Sequence, residues 1–336
     1  MTMFGDQLYQ FGGMPVDLPY SFLKGPKGKT LFVAPYRTAV GDSNGTNAND
    51  SNPGTLDAPL KTIARAYALC SGNLGEVIYL MGFQNAAAGV TDDLSATLTW
   101  AKNAVHLVGL VPPMAVSHRV RIGAAATPAL SPMIDITGNN NVFANFQAFH
   151  GQADATALLN VRVTGQRNFF DTVHFAGIGD ATQSAAGCAS LALIGGDENV
   201  FKNCVIGLDT TTVDADGVNL LCDTDASRNK FIDCLFQAFI SSTAAVHVKL
   251  ADTTAIDRWL WFKNCLFVSE SVNKTIDMAE VFNVPAGIAQ GKIILQDCAA
   301  MNDGGAPVWT AGTEGIVWAN MAAPTASAAG GLMTNL

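Results

Sequence analysis

Charge is scarce in this 336-residue chain: only 14% of residues are Asp, Glu, Lys or Arg, and the formal net charge is −9. Lysine and arginine are scattered without a run that resembles a phosphate-binding stripe, which argues against nucleic acid as a partner. No stretch of about 18 consecutive apolar residues occurs, so no helical membrane span is encoded. The opening MTMFGDQLYQ lacks a basic segment followed by an apolar one, so a signal peptide is not expected. Cysteine is sparse and odd in number, seven in all, which excludes the framework of a small disulfide-stapled domain. No Cys-x-x-Cys pair or Cys/His cluster has zinc-ligand spacing, and the thiols are expected to be mostly reduced.

What is present is apolar and repetitive. Hydrophobic residues make up 49% of the chain, enough for an extensive core. The phrase FKNC stands at residues 201–204 and 262–265, with FIDC at 231–234 between them. Aligned on their aromatic anchors, six units appear, at Phe143, Phe170, Phe201, Phe231, Phe262 and Leu295, in steps of 27, 31, 30, 31 and 33 residues. A second apolar run precedes each: MIDITG, LLNVRVTG, LALIGG, VNLLCD, AVHVKLA and EVFNVP. Strands repeating at such a period with no helix between them are coils of a β-solenoid.

Within each unit the alternation slips by one place, since Phe201 and Cys204 are both apolar and both expected inside. A single left-handed residue between them would produce the slip, and Asn and Asp tolerate that conformation best among non-glycine residues. Asn145, Asn203, Asp233, Asn264 and Asp297 fill the slot, and Thr172 fills it in the second unit. Cys204, Cys234, Cys265 and Cys298 then stack as an internal column of small core fillers. Val205, Leu235 and Leu266 point outward beside them, and they are the expected contact of a homotrimer.

Upstream, GDSNGTNANDSNPGTLDAPLKTIARAYALC reads as a polar loop followed by a helix over about 58–70, with Asp57 as its cap and Leu60, Ile63, Tyr67 and Cys70 on one face. The phrases GDSNGT, PLKTIARAY, GEVIYL and HLVGL resemble the start of right-handed parallel β-helices of the pectin-lyase-like class. That resemblance implies an all-β fold, a right-handed parallel β-helix over residues 29–305. The helix would cap it, an extended arm would occupy 1–28, and a C-terminal cap or tail 306–336. With its apolar leader YQFGGMPVDLPYSF, the chain is further similar to bacteriophage virion proteins, of the head-decoration or tail-associated kind. The leader carries Phe4, Leu8, Tyr9, Phe11, Met14, Tyr20 and Phe22, too many apolar groups for a free tail in water, and is expected to dock on a neighbouring subunit or shell.

The sequence carries several partial catalytic and binding motifs. KGPKGKT lacks the first glycine of a phosphate loop and runs into a strand-like LFVAPY. Asp42, Asn44 and Thr46 start like a calcium loop whose central Gly and terminal Glu are missing. Polysaccharide lyases and hydrolases of the resembled class set carboxylates on the outer face of one sheet. The equivalent column here is expected to be Asp135, Arg162, Leu193 and Asp223, broken by its leucine. His106, His118, His150, His174 and His247 each stand alone. The pairs Asp214 with Asp216 and Asp252 with Asp257 fall in connecting loops. The expectations are therefore no catalytic, cofactor or metal site, no enzyme, and no activity on capsule, lipopolysaccharide or pectate. The expected role is a structural virion protein made in the host cytoplasm, a capsid decoration or cement protein contacting the major capsid protein, with no nucleic-acid or membrane partner. The alternative is a tailspike-type carbohydrate-binding or polysaccharide-degrading protein, with a host glycan as its partner.

Overall fold

Each repeat folds as three short strands separated by corners, and successive repeats stack so that every strand hydrogen-bonds in parallel to its counterpart one coil away. The computed structural model describes residues 23–35, 48–82, 90–116, 120–125, 127–152, 154–178, 187–215, 217–271, 274–288, 291–303, 309–310 and 316–319. The first sheet has seven strands, from Leu98–Trp100 to Phe282–Asn283. The second has ten, from Thr30–Val33 to Ile316–Ala319, and the third runs from Val90–Leu94 to Ala299–Met301. The expected parallel β-helix is the observed fold.

The one-residue slip is where the residues placed it. Asn145, Thr172, Asn203, Asp233, Asn264 and Asp297 all have φ between 51° and 58°. This turn lets Phe201 and Cys204 both face inward, at 0% and 1% exposure. The phenylalanines stack in a continuous column, Phe143, Phe170, Phe201, Phe231 and Phe262, with centroid separations of 5.1, 4.5, 4.7 and 4.9 Å. Spacing near the ~4.8 Å of hydrogen-bonded strands makes this stacking follow from the register itself.

At the head of the second-sheet strands a buried asparagine ladder closes the corner polar groups. Asn168 Oδ1 accepts from the Asn141 amide at 2.9 Å, Asn199 Oδ1 from the Asn168 amide at 2.9 Å, and Asn229 Oδ1 from the Asn199 amide at 2.8 Å. Their Nδ2 atoms donate to Gly138, Gly165 and Gly196 carbonyls at 3.0, 3.1 and 2.8 Å. The glycines permit the approach: a Cβ on Gly165 would lie 2.0 Å from the Gly138 carbonyl oxygen. From Asn168 to Asn229 each ladder side chain thus satisfies buried groups that water cannot reach, while the Nδ2 of Asn141, at the start of the ladder, has no partner among the described residues, and Leu260 ends the ladder on the next coil.

The ends differ from expectation in detail. Helix α1 spans Ile63–Leu69 and is capped by Thr62, not Asp57. Asp50 in turn accepts from the Lys61 and Thr62 amides and the Thr62 hydroxyl, at 3.0, 2.9 and 2.9 Å. Leu60 and Ile63 are fully buried, so the helix covers the open end of the core as anticipated. Lys102 Nζ closes its C-terminus on the Tyr67 and Cys70 carbonyls, both at 2.7 Å, and Lys29 Nζ reaches the Leu69 carbonyl. Gly25 donates to the Gly75 carbonyl at 3.0 Å, so the last residues of the expected arm belong to the body. At the other end the solenoid passes residue 305: Trp309 is fully buried against Phe267, and Ile316–Ala319 pairs with Lys292–Gln296.

Four histidines are structural. His106, His150, His174 and His247 are at most 4% exposed. His106 Nδ1 accepts from the Val142 amide at 3.0 Å, and His247 Nδ1 from Asn219 Nδ2 at 2.8 Å. Burial lowers the His106 and His174 pKa to about 4 and that of His247 to about 3, and it lowers that of His150. His118 lies outside the described residues.

Two outcomes are expected. Thr172, a β-branched residue at φ 54°, strains its corner, so Thr172→Asn raises the unfolding free energy by about 1 kcal/mol, whereas Asn203→Val lowers it by about 1–2 kcal/mol; urea denaturation of the two variants measures both. The second concerns acid. Folded histidine pKa values below the ~6.5 of the unfolded chain mean that their contribution is complete above pH ~6.5 and is lost as pH falls toward 4 and 3. Stability measured between pH 8 and 4 is flat at first and then falls with uptake of more than one proton on unfolding.

Candidate functional site

A parallel β-helix offers function only its outward side chains, and the strand register sets which of these become neighbours. On the first sheet the outward column reads Thr99, Asp135, Arg162, Ala192, Leu221 and Lys249. Asp135 and Arg162 meet as expected, with Nε to Oδ1 at 2.9 Å and Nη2 to Oδ2 at 2.7 Å. Leu193 and Asp223 do not continue the column: Leu193 is fully buried, and Asp223 pairs in register with Ile194. The connection from this sheet to the ladder asparagine lengthens by one residue at Ala192 and by two at Leu221 relative to Asp135. Each added residue moves the counted position off the true column, and a one-residue slip exchanges inward for outward.

The described loop acids are each engaged by a near neighbour in the chain. Asp252 accepts from the Thr254 amide and hydroxyl at 2.7 and 2.8 Å, and Asp257 pairs with Arg258 at 3.2 Å. Asp214 accepts from the Ala215 amide at 2.8 Å, while Asp216 and the residues Asp42, Asn44 and Thr46 lie outside the described part. Among the described residues no group of three His, Cys, Asp or Glu could hold a metal ion. The cysteine column is present: the Cys204, Cys234, Cys265 and Cys298 thiols donate to carbonyls one coil back, at 3.6, 3.4, 3.4 and 3.4 Å. Burial, above all, pushes the Cys234 and Cys265 pKa far up, so these thiols are not nucleophiles at neutral pH.

On the third sheet Val205, Leu235 and Leu266 stack in register and face outward. Their exposure is uneven: Val205 is covered within the chain at 2%, Leu235 is half-buried and Leu266 is 37% exposed. The exposed column expected there therefore narrows to Leu235 and Leu266. Phe4, Leu8, Tyr9, Phe11, Met14, Tyr20 and Phe22 lie outside the described residues.

The most distinctive outer surface is on the second sheet, where the sequence alone marks no candidate site. Inward Leu260 and Phe262 leave Trp259, Trp261 and Lys263 facing out, all half-buried. Lys230 stands opposite Trp261 one coil earlier, and Lys292 opposite Trp259 one coil later. Lys230 Nζ lies 5.7 Å from the Trp259 ring centre and 5.4 Å from that of Trp261. Those distances are near the outer limit of a cation–π contact, worth roughly 0.5–1 kcal/mol at an exposed site, so a ligand can displace the ammonium. The Trp261 Nε1–H is covered and has no acceptor among the described residues, a cost of ~1–3 kcal/mol retained at this spot. A signal was available in WLWFK: strand side chains alternate between faces, so once Leu260 and Phe262 are inside, both tryptophans must be out.

No protein-family model matches the chain, and no curated protein sequence matches it. Solved structures do. A pectate lyase, Pel9A, shares 13% identity over 84% of this chain and 68% of its own, with a TM-score of 0.53. The pectin methylesterase from Aspergillus niger shares 16% over 88% and 87%, at 0.51. A pectin methylesterase in complex with a hexasaccharide shares 15% over 80% of each chain, at 0.50. Likeness at this identity establishes the pectate-lyase-like fold. It also corrects the expectation that the chain is not an enzyme: the solved structures named here are a pectate lyase and pectin methylesterases, so an architecture of this kind gives no ground for excluding catalysis.

Proposed function

We propose that this protein is a carbohydrate-directed β-helix, and that it holds a glycan on the outer face of the second sheet. The observation that carries the reading is the pair of outward indoles, Trp259 and Trp261, on one strand with Lys230 lying over both. Outward tryptophans offer broad apolar surfaces that suit the C–H faces of sugar rings, and the flat sheet holds both indoles without loop ordering on binding. Sedimentation or affinity electrophoresis against immobilised glycans tests it. Trp261→Ala is expected to weaken retention at least tenfold, about 1.4 kcal/mol, with an unchanged β-type circular dichroism spectrum. Retention equal to that of the unaltered protein overturns the assignment.

A second reading follows the virion resemblance: a homotrimeric bacteriophage component, a capsid decoration protein seated on the major capsid protein. The observation that favours it is Leu266, exposed at 37% and in register with Leu235 on the preceding coil. Here the third sheets would meet about a threefold axis. Light scattering is expected to report a trimer that dissociates on Leu235→Lys together with Leu266→Lys while β structure is retained. An intact trimer in the double variant, or a monomer to begin with, removes this reading.

A further inference from the structure

Resting on the glycan reading above, we infer that the ligand of the second-sheet face is a polysaccharide carrying carboxylates, laid along the solenoid axis. The basis is how the chain distributes its cations. Arg162 pairs with Asp135, Arg167 with Glu198, Arg228 with Asp197 and Glu198, and Arg258 with Asp257. Lys29 and Lys102 are spent on the carbonyls that end helix α1. Lys27, Lys61, Lys249 and Lys274 also form no ion pair among the described residues, but they are scattered, whereas Lys202, Lys230, Lys263 and Lys292, equally without an ion pair there, all face out from the second sheet. In a chain of net charge −9, four unneutralised ammonium groups gathered on one face run against the background.

Their arrangement is cooperative with the indoles. Register places Lys230 opposite Trp261, Lys292 opposite Trp259, and Lys202 and Lys263 on either side of Ile232 in the adjoining column. Neighbouring coils are ~4.8 Å apart and diagonal neighbours ~7–8 Å, so Lys230 and Lys263 repel one another in the free protein. A carboxylate between them removes that repulsion, while sugar faces cover Trp261 and the adjacent Ile294. The pattern is a file of apolar rests with ammonium groups to either side, which matches a glycan whose charges are spaced by uncharged ring surface.

A polyphosphate chain fits less well. Asp171 adjoins Lys202 in the same column, and exposed Asp233 and Asp297 border the face at its corner. Such acids are tolerated by a ligand with sparse charge and oppose one with a phosphate at every step. Of the chain's eight arginines, the residues best shaped for bidentate phosphate contact, Arg162, Arg167, Arg228 and Arg258 are engaged with carboxylates, and none of these four is on the second-sheet face.

The experiment measures binding of the full chain to alginate, hyaluronan and polysialic acid, to the carboxyl-reduced neutral form of each, and to single-stranded DNA, at two salt concentrations. At least one carboxylated glycan is expected to bind, at least tenfold tighter than its reduced form and more weakly at high salt. Lys230→Gln with Lys263→Gln and Lys292→Gln is expected to abolish that preference, while Trp261→Ala weakens charged and reduced forms alike. Equal binding of a glycan and its reduced form overturns the charge inference and leaves the glycan reading standing. Binding of no glycan overturns both, and tighter binding of DNA than of every glycan overturns the inference in favour of a nucleic-acid surface.

Discussion

Each coil of this protein must land on the one before it in register, and the left-handed residue between the second and third strands makes that possible. Without a turn at Asn203, strict alternation would send Cys204 outward, and the apolar residues of the third sheet would face water. With it, one interior receives side chains from three sheets. The phenylalanine column, the thiol column and the asparagine ladder are three readouts of the same repeat distance. Each places identical groups at the spacing that parallel strands impose, where rings stack and amides bond.

That repetition also governs the outer surface. A residue type at an outward position meets whatever the next coil carries at the same position, so a face acquires character by addition. On the first sheet the addition yields one Asp–Arg pair followed by Ala192 and Leu221. On the third it yields a leucine column partly covered by the chain itself. On the second it yields two indoles among lysines that no carboxylate neutralises within the described part. The three faces of one prism therefore differ in chemistry although their backbones are alike.

The enzymes that share this architecture widen what such a prism does, and the expectation of no catalysis did not survive the comparison. Its weakness was physical. It rested on solitary histidines, on acids in connecting loops and on an acidic column counted by a constant offset from the ladder asparagines, and the corner connections are not constant. Asp135 and Arg162 sat where the count put them because their corners are equal in length. Leu193 and Asp223 did not, because one and two extra residues intervene. The same kind of error placed the helix cap at Asp57, where loop geometry brings Asp50 and Thr62 together from twelve residues apart.

What the sequence alone determined is what depends on local spacing: the coil period, the inward anchors, the left-handed slot including its Thr172 exception, and the internal thiol column. These follow from alternation and from the few residues that adopt positive φ, both legible in a short window. Only the tertiary structure decided which outward residues from different coils become neighbours, that Val205 is covered while Leu266 is not, and that Lys230 lies over Trp259 and Trp261. The reason is that corner lengths set the register between coils, and a register shift of one residue, invisible in the repeat itself, exchanges a surface for a core.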